Sequence, residues 1–390
     1  MSTRIFLGAR VFDGTRLQEG KAVLLDGGLI VGIVDAAALP PGEVVQLAGG
    51  ILAPGLLDLQ VNGSGGVMVN GHTDLAALQA ICGAQASLGA LGVLPTLITD
   101  TPQATAAVIA AGIAAARAEV PGFLGLHLEG PHLDPRRKGA HDPALIRPMQ
   151  AEDLARLCDA AKALPALMLT VAPESVTPEQ IAALAAAGAV VSLGHSDCTS
   201  AQAQAAMAAG ATCVTHLFNA MSQMSNRAPG LVGAALSGSC HIGLIADGLH
   251  VDPAVMRVAL AARPTGVFLV SDCMAVAATD LTEITLGGRR ILRRDRRLTL
   301  EDGTLAGADL TLPQAMAVLV TRVGIAPERA LAMATSEPAA VIGAAGRLGH
   351  LAPGRAADMV HLTDDWRLGG IWRGGNCVEI SRFTPPAFRA

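Results

Sequence analysis

The chain has 390 residues, 51% of them hydrophobic and 16% charged, with a formal net charge of −5. That balance excludes a mainly disordered chain, which would be charge-rich and apolar-poor, and disfavours a general polyanion binder. With 2% aromatic residues and no Tyr, a tyrosine nucleophile is excluded and an aromatic platform for stacking bases is disfavoured.

Residues 5–9, 22–25 and 29–34 read as short strands, broken by the turn signals Asp13-Gly14 and Asp26-Gly27-Gly28. From residue 54 the pattern changes. Short apolar runs ending in polar residues alternate with Ala-rich stretches. The candidate strands are 55–61, 93–99, 123–129, 167–172, 190–195, 212–217, 242–247 and 267–272. The intervening helices include 74–88, 102–118, 151–163, 178–187, 200–209 and 253–262, several opening on Asp, Thr or Pro and closing on Gly. Eight such units suit a (β/α)8 TIM-like barrel, which takes about 250 residues. A doubly wound open sheet is the rival, weakened because no GxGxxG opens a helix after the first strand. The end of the chain returns to strands, at Met359-Val360-His361-Leu362 and within 369–379. Neither terminal segment can bury a good core alone. Residues 1–53 and 345–390 are therefore expected to pair as a small β-sandwich domain beside a catalytic barrel of residues 54–344.

In such a barrel, reactive groups collect at the C-terminal ends of the strands. The third candidate strand ends His127-Leu128-Glu129-Gly130-Pro131 and the fifth Gly194-His195-Ser196-Asp197. The sixth gives Thr215-His216-Leu217-Phe218-Asn219 and the eighth Val270-Ser271-Asp272. Glu129, His195 and His216 make a set of two histidines and one carboxylate with open positions, the composition of a catalytic divalent centre that activates water near neutral pH. Asp272 could take and return a proton. A single His in an apolar strand is ordinarily a satisfied core group. Two His and two acids at four strand ends point instead to a site. His127 lies two residues before Glu129 on the same strand face, as support or plain core. Cys213 is at an odd spacing from His216 and Cys273 adjoins Asp272, so both are turned away from the set.

These segments carry a resemblance. Pro54-Gly55-Leu56-Leu57-Asp58 before Gln60-Val61-Asn62-Gly63 is similar to the first-strand signature of the amidohydrolase superfamily. The HLEGP and THLFNAM segments, with Lys138-Gly139-Ala140-His141 and Gly194-His195-Ser196, resemble the N-acetylglucosamine-6-phosphate deacetylase family. So do Arg227-Ala228-Pro229-Gly230, Ala246-Asp247-Gly248-Leu249-His250 and Gly303-Thr304-Leu305-Ala306-Gly307. The resemblance implies that Glu129, His195 and His216 bind one divalent metal per subunit and that Asp272 is the general acid and base. Zn2+ is expected first, with Fe2+, Mn2+ or Co2+ as alternatives, because such donor sets discriminate little among them. It further implies that His141 and His250 contact the sugar or polarise the acetamide. Ala140 would line the substrate site, and Asn219, Ala220 and Arg227 would hold the sugar and its 6-phosphate. Family members commonly form homodimers, with Arg227 reaching the neighbouring subunit's site. A guanidinium in a loop beyond the His216 strand also suits a phosphate on its own chemistry.

One departure stands out. Many amidohydrolases carry His-x-His at the first strand for a second metal, whereas this chain reads Gln60-x-Asn62. Amides are weak ligands for such ions, which favours one metal. Gln60 and Asn62 are left to bond water or substrate, or to serve as scaffold. The expected substrate is a small phosphorylated amino sugar, with no nucleic acid and no membrane. The rivals are another amidohydrolase, including one for the galactosamine epimer or a cyclic amide, and a non-catalytic scaffold. Seven scattered Cys without a CxxC pair, no signal-like start and no apolar run of about 18 residues lead to a cytoplasmic expectation.

Overall fold

A computed structural model describes residues 3–383. Eight parallel strands form its central sheet: β1 (Leu56–Val61), β2 (Ala90–Ile98), β3 (Leu126–Glu129), β4 (Leu167–Val171), β5 (Val190–Leu193), β6 (Cys213–Val214), β7 (His241–Leu244) and β8 (Val267–Leu269). Each pairs with the next, from β1 through to β8. The strands are near-continuous apolar runs, as a sheet covered on both faces requires. Seven helices follow β1 to β7 in turn: α1 (Leu75–Ala86), α2 (Pro102–Arg117), α3 (Ala151–Ala163), α4 (Pro178–Ala186), α5 (Ser200–Ala208), α6 (Gly230–Ser237) and α7 (Pro253–Ala262). Their starts are chemically marked. Asp74, Thr101 and Asp252 accept hydrogen bonds from amides of the first turn, and Thr177 and Thr199 form reciprocal capping boxes with Gln180 and Gln202.

The sheet closes where β1 meets the segment after β8. Asp272 N donates to Gln60 O at 3.0 Å and Asn62 N to Cys273 O at 2.9 Å. Below them, the buried Asp58 carboxylate accepts from Ser271 N at 3.2 Å through each oxygen. Burial pushes the Asp58 carboxyl up to about 7.

The two ends of the chain form two further sheets. One is four-stranded and drawn from Arg4–Leu7, Lys21–Asp26, Leu29–Asp35 and Glu43–Gln46. The other is six-stranded; in it Ile51–Pro54 pairs with both Arg10–Phe12 and Met359–Leu362. Phe6, Val23, Leu25, Leu52, Met359 and Trp372 share one core between them. The Phe6 and Trp372 rings meet edge to face at 4.9 Å.

The structure adds elements to the sequence reading, among them the helices Leu312–Val318, Pro327–Ala334 and Ser336–Val341. Helix α6 fills the expected gap after β6. After β8, four antiparallel strands (Glu283–Leu286, Arg289–Arg294, Arg297–Leu300 and Leu305–Ala308) form a separate sheet. Among the described residues, no helix is long and apolar enough to cross a membrane.

Candidate active site

The barrel strands end where polar side chains converge. Glu129 closes β3, and its Oε1 lies 2.9 Å from His216 Nε2 and 3.2 Å from His195 Nε2. The two imidazole nitrogens are 3.2 Å apart. All three residues are buried. The backbone turns into the left-handed region at these strand ends, with φ of 46° at His195, 26° at His216 and 51° at Asp272. β5, β6 and β8 end at Leu193, Val214 and Leu269, two or three residues before those turns and short of their expected ends.

Hydrogen bonds to the far sides of the rings distinguish the histidines. His195 Nδ1 faces the carbonyl oxygen of Arg137 at 2.8 Å. A carbonyl only accepts, so Nδ1 carries the hydrogen and Nε2 keeps its lone pair. This is the orientation a metal ligand needs. His141 is the reverse. Its Nδ1 accepts from Thr99 N at 3.3 Å, which places the hydrogen of the neutral ring on Nε2. That Nε2 lies 3.7 Å from Glu129 Oε2. Distance alone would admit His141 beside Glu129 and His195 as a third ligand, since their donor atoms lie within 4.8 Å of one another. The tautomer makes it a hydrogen-bond donor instead. Burial pushes the His141 imidazole down to about 3, so it is neutral at neutral pH.

The donor set fits a divalent cation. Two nitrogens and one carboxylate oxygen lie within 3.2 Å of one another, His195 Nε2 presents a lone pair to the group, and a cation held among the three would satisfy them together. Burial opposes the charge on Glu129, but the adjoining His195 and His216 rings outweigh it and hold the carboxyl well below its usual range.

Gln60 and Asn62 serve the two acids. Gln60 Nε2 donates to Glu129 Oε1 at 3.1 Å, and Asn62 Nδ2 donates to Asp272 Oδ1 at 2.7 Å. Burial, then the negative charge of Glu129, pushes the Asp272 carboxyl up to about 6. His127 sits beneath the set, buried, with Nδ1 donating to Leu59 O at 3.2 Å and Nε2 at 2.7 Å from Thr170 Oγ1. It is a satisfied support.

A cavity of about 370 Å³ opens above the cluster. Asn62, Glu129, His141, His195, His216 and Asp272 line its floor, and Ala140, Asn219, Ala220 and His250 its walls. His250 Nδ1 lies 2.6 Å from Asp247 Oδ2, which fixes the ring. Of the residues singled out by sequence, Gln60 lies behind the cavity and Arg227 is exposed outside it. The sequence reading missed Arg137, whose carbonyl orients His195 and whose guanidinium is tied to Asp197 at 2.6 Å. It also missed Thr99, and it gave no wall role to Leu286 or Thr304 of the added sheet. The sequence signals for that sheet are the Gly303–Gly307 motif and the Gly287-Gly288 pair.

The amidohydrolase family model matches residues 51–377. The chain belongs to the amidohydrolase family. Proteins similar to it include the N-acetylgalactosamine-6-phosphate deacetylase of Shewanella sp. (strain ANA-3), 37% identical over 96% of this chain and 97% of that protein. The N-acetylglucosamine-6-phosphate deacetylase of Haemophilus influenzae is 32% identical over 92% of this chain and 94% of its own length. Among solved structures, the N-acetylglucosamine-6-phosphate deacetylase from Pasteurella multocida superposes with a TM-score of 0.92. It is 33% identical, covering 96% of this chain and 99% of that one.

Proposed function

We propose that this amidohydrolase hydrolyses the acetamide of N-acetyl-D-glucosamine 6-phosphate to glucosamine 6-phosphate and acetate, in amino-sugar catabolism. The observation that carries the reading is the convergence of Glu129, His195 and His216 on one point, with Asp272 and His141 in the same cavity. The full-length likeness to deacetylases supports the substrate class.

One divalent ion per subunit would be held by Glu129, His195 and His216, with Zn2+ first and Fe2+, Mn2+ or Co2+ as alternatives. Bound there, it supplies Lewis acidity to the amide carbonyl and eases deprotonation of water. The chain's own groups do the rest. His141, neutral with hydrogen on Nε2, donates to the carbonyl oxygen as negative charge develops. Asp272 takes the proton of the attacking water and returns it to the departing amine. Its carboxyl, pushed up to about 6, is matched to both halves of that task near neutral pH. Asn62 engages one oxygen of Asp272 and leaves the other for the proton. Asn219, Ala220 and His250 hold the sugar.

The galactosamine epimer is the second reading, favoured by the name of the 37% identical Shewanella relative. Acetate release from both 6-phosphates and from the unphosphorylated sugars, before and after metal depletion and reconstitution, tests the proposal. Release from phosphorylated glucosamine substrate, lost on depletion and restored by Zn2+, is expected. No release from either phosphorylated epimer with any of the four metals would overturn it.

We place the enzyme in the cytoplasm as a homodimer in which Arg227 completes the partner's phosphate site. Its exposed position outside its own cavity suits that arrangement. Arg227→Ala is then expected to raise KM for the phosphorylated sugar, by roughly a hundredfold for a charge-assisted contact worth about 3 kcal/mol. An unchanged KM would remove Arg227 from the phosphate site.

A further inference from the structure

A second cavity, of about 460 Å³, lies directly beside the catalytic one. The two share Ile98 and Leu286 as lining residues. Ile98 ends β2 and is in register with Glu129 of β3, so it stands next to the carboxylate on the same face. Leu286, from the sheet after β8, packs with Met274, and Ile98 and Ala140 pack against that cluster. The partition between the cavities is therefore a thin apolar layer. Beyond it, Val69, Leu97 and Leu145 supply apolar surface, while Gln103, Asp100, Asp142 and Arg289 also line the cavity, so its lining is part apolar and part polar or charged.

The direction of the acyl group follows from the proposed function, on which this inference rests. Asn219, Ala220 and His250 lie on the loops after β6 and β7. With the sugar there and the carbonyl carbon above Glu129, the acyl methyl falls on the opposite side, over β2. The apolar surface it meets is Ile98 and Leu286. We propose that Ile98 and Leu286 set the length of the acyl group, and that the second cavity is an acyl annex closed to longer chains by those two side chains. Truncating either joins the cavities and admits N-acyl hexosamine 6-phosphates with straight acyl chains longer than acetyl. The reaction is the same hydrolysis: the C–N bond breaks, water oxygen bonds the carbonyl carbon, and the amine gains a proton as a longer carboxylate leaves.

The test compares kcat/KM of the holoenzyme on N-acetyl- and N-butyrylglucosamine 6-phosphate. The butyryl-to-acetyl ratio cancels any general loss of active enzyme. It is expected to rise at least about tenfold in Ile98→Ala and in Leu286→Ala, the worth of a methylene accommodated in an apolar pocket. Ile98→Val should shift it the same way by less. Gln103→Trp, which refills the annex from its exposed rim, should reverse the gain when combined with Ile98→Ala. An unchanged ratio in variants that still release acetate would overturn the annex, as would a gain insensitive to Gln103→Trp. Absence of acetate release from the unmutated holoenzyme would instead overturn the reaction, and the acyl role of the annex with it.

Discussion

Asp272→Asn is expected to lower kcat by roughly a hundredfold to ten-thousandfold, the usual worth of a positioned acid and base, while leaving metal content unchanged. The substitution keeps the size of the side chain and an oxygen that can accept from Asn62 Nδ2. What it removes is the ability to hold a proton between water and amine. Asp272 is not one of the three converging donors, so the cation site should persist. Metal content measured alongside kcat separates the two roles. Turnover within a few-fold of the parent would remove Asp272 from proton transfer. Turnover lost together with the metal would make it a ligand instead.

Glu129→Gln should act at the other end of the mechanism. Glu129 brings the negative charge to the point where His195 and His216 meet, and both Nε2 atoms lie within 3.2 Å of its Oε1. Its loss removes a direct donor, so the fall in metal affinity should exceed the ~10–100-fold typical of a supporting group. Titration of the metal-free protein against a competing chelator reads this without reference to turnover. An affinity equal to the parent's would show that the carboxylate does not hold the ion.

Much of this arrangement is legible in the sequence because a parallel barrel places chemistry at strand ends. The run ending in His127-Leu128-Glu129 and the apolar runs before Gly194-His195 and Val270-Ser271-Asp272 each contain a strand. What sequence spacing does not carry is the partner across the barrel. That Gln60 serves Glu129 and Asn62 serves Asp272 depends on contacts 69 and 210 residues away. The tautomer of His141 is set by Thr99 N, 42 residues earlier and just past the end of β2. The sheet after β8 was only half hidden. Gly287-Gly288 joins the register pair Leu286 and Arg289, a usual hairpin signal. The next turn, Asp295-Arg296, has positive φ at both residues without the customary glycine, so nothing local announced it.

The left-handed backbone at His195, His216 and Asp272 has a consequence for the stability of the whole protein. Each such residue costs about 1–3 kcal/mol relative to an ordinary conformation, a large share of the ~5–15 kcal/mol that holds a typical fold. Glycine at any of the three would relax the backbone and delete a donor or a proton carrier. Selection for heat resistance alone would thus tend to erase this centre, and selection for turnover is what keeps these three residues strained at the mouth of the barrel.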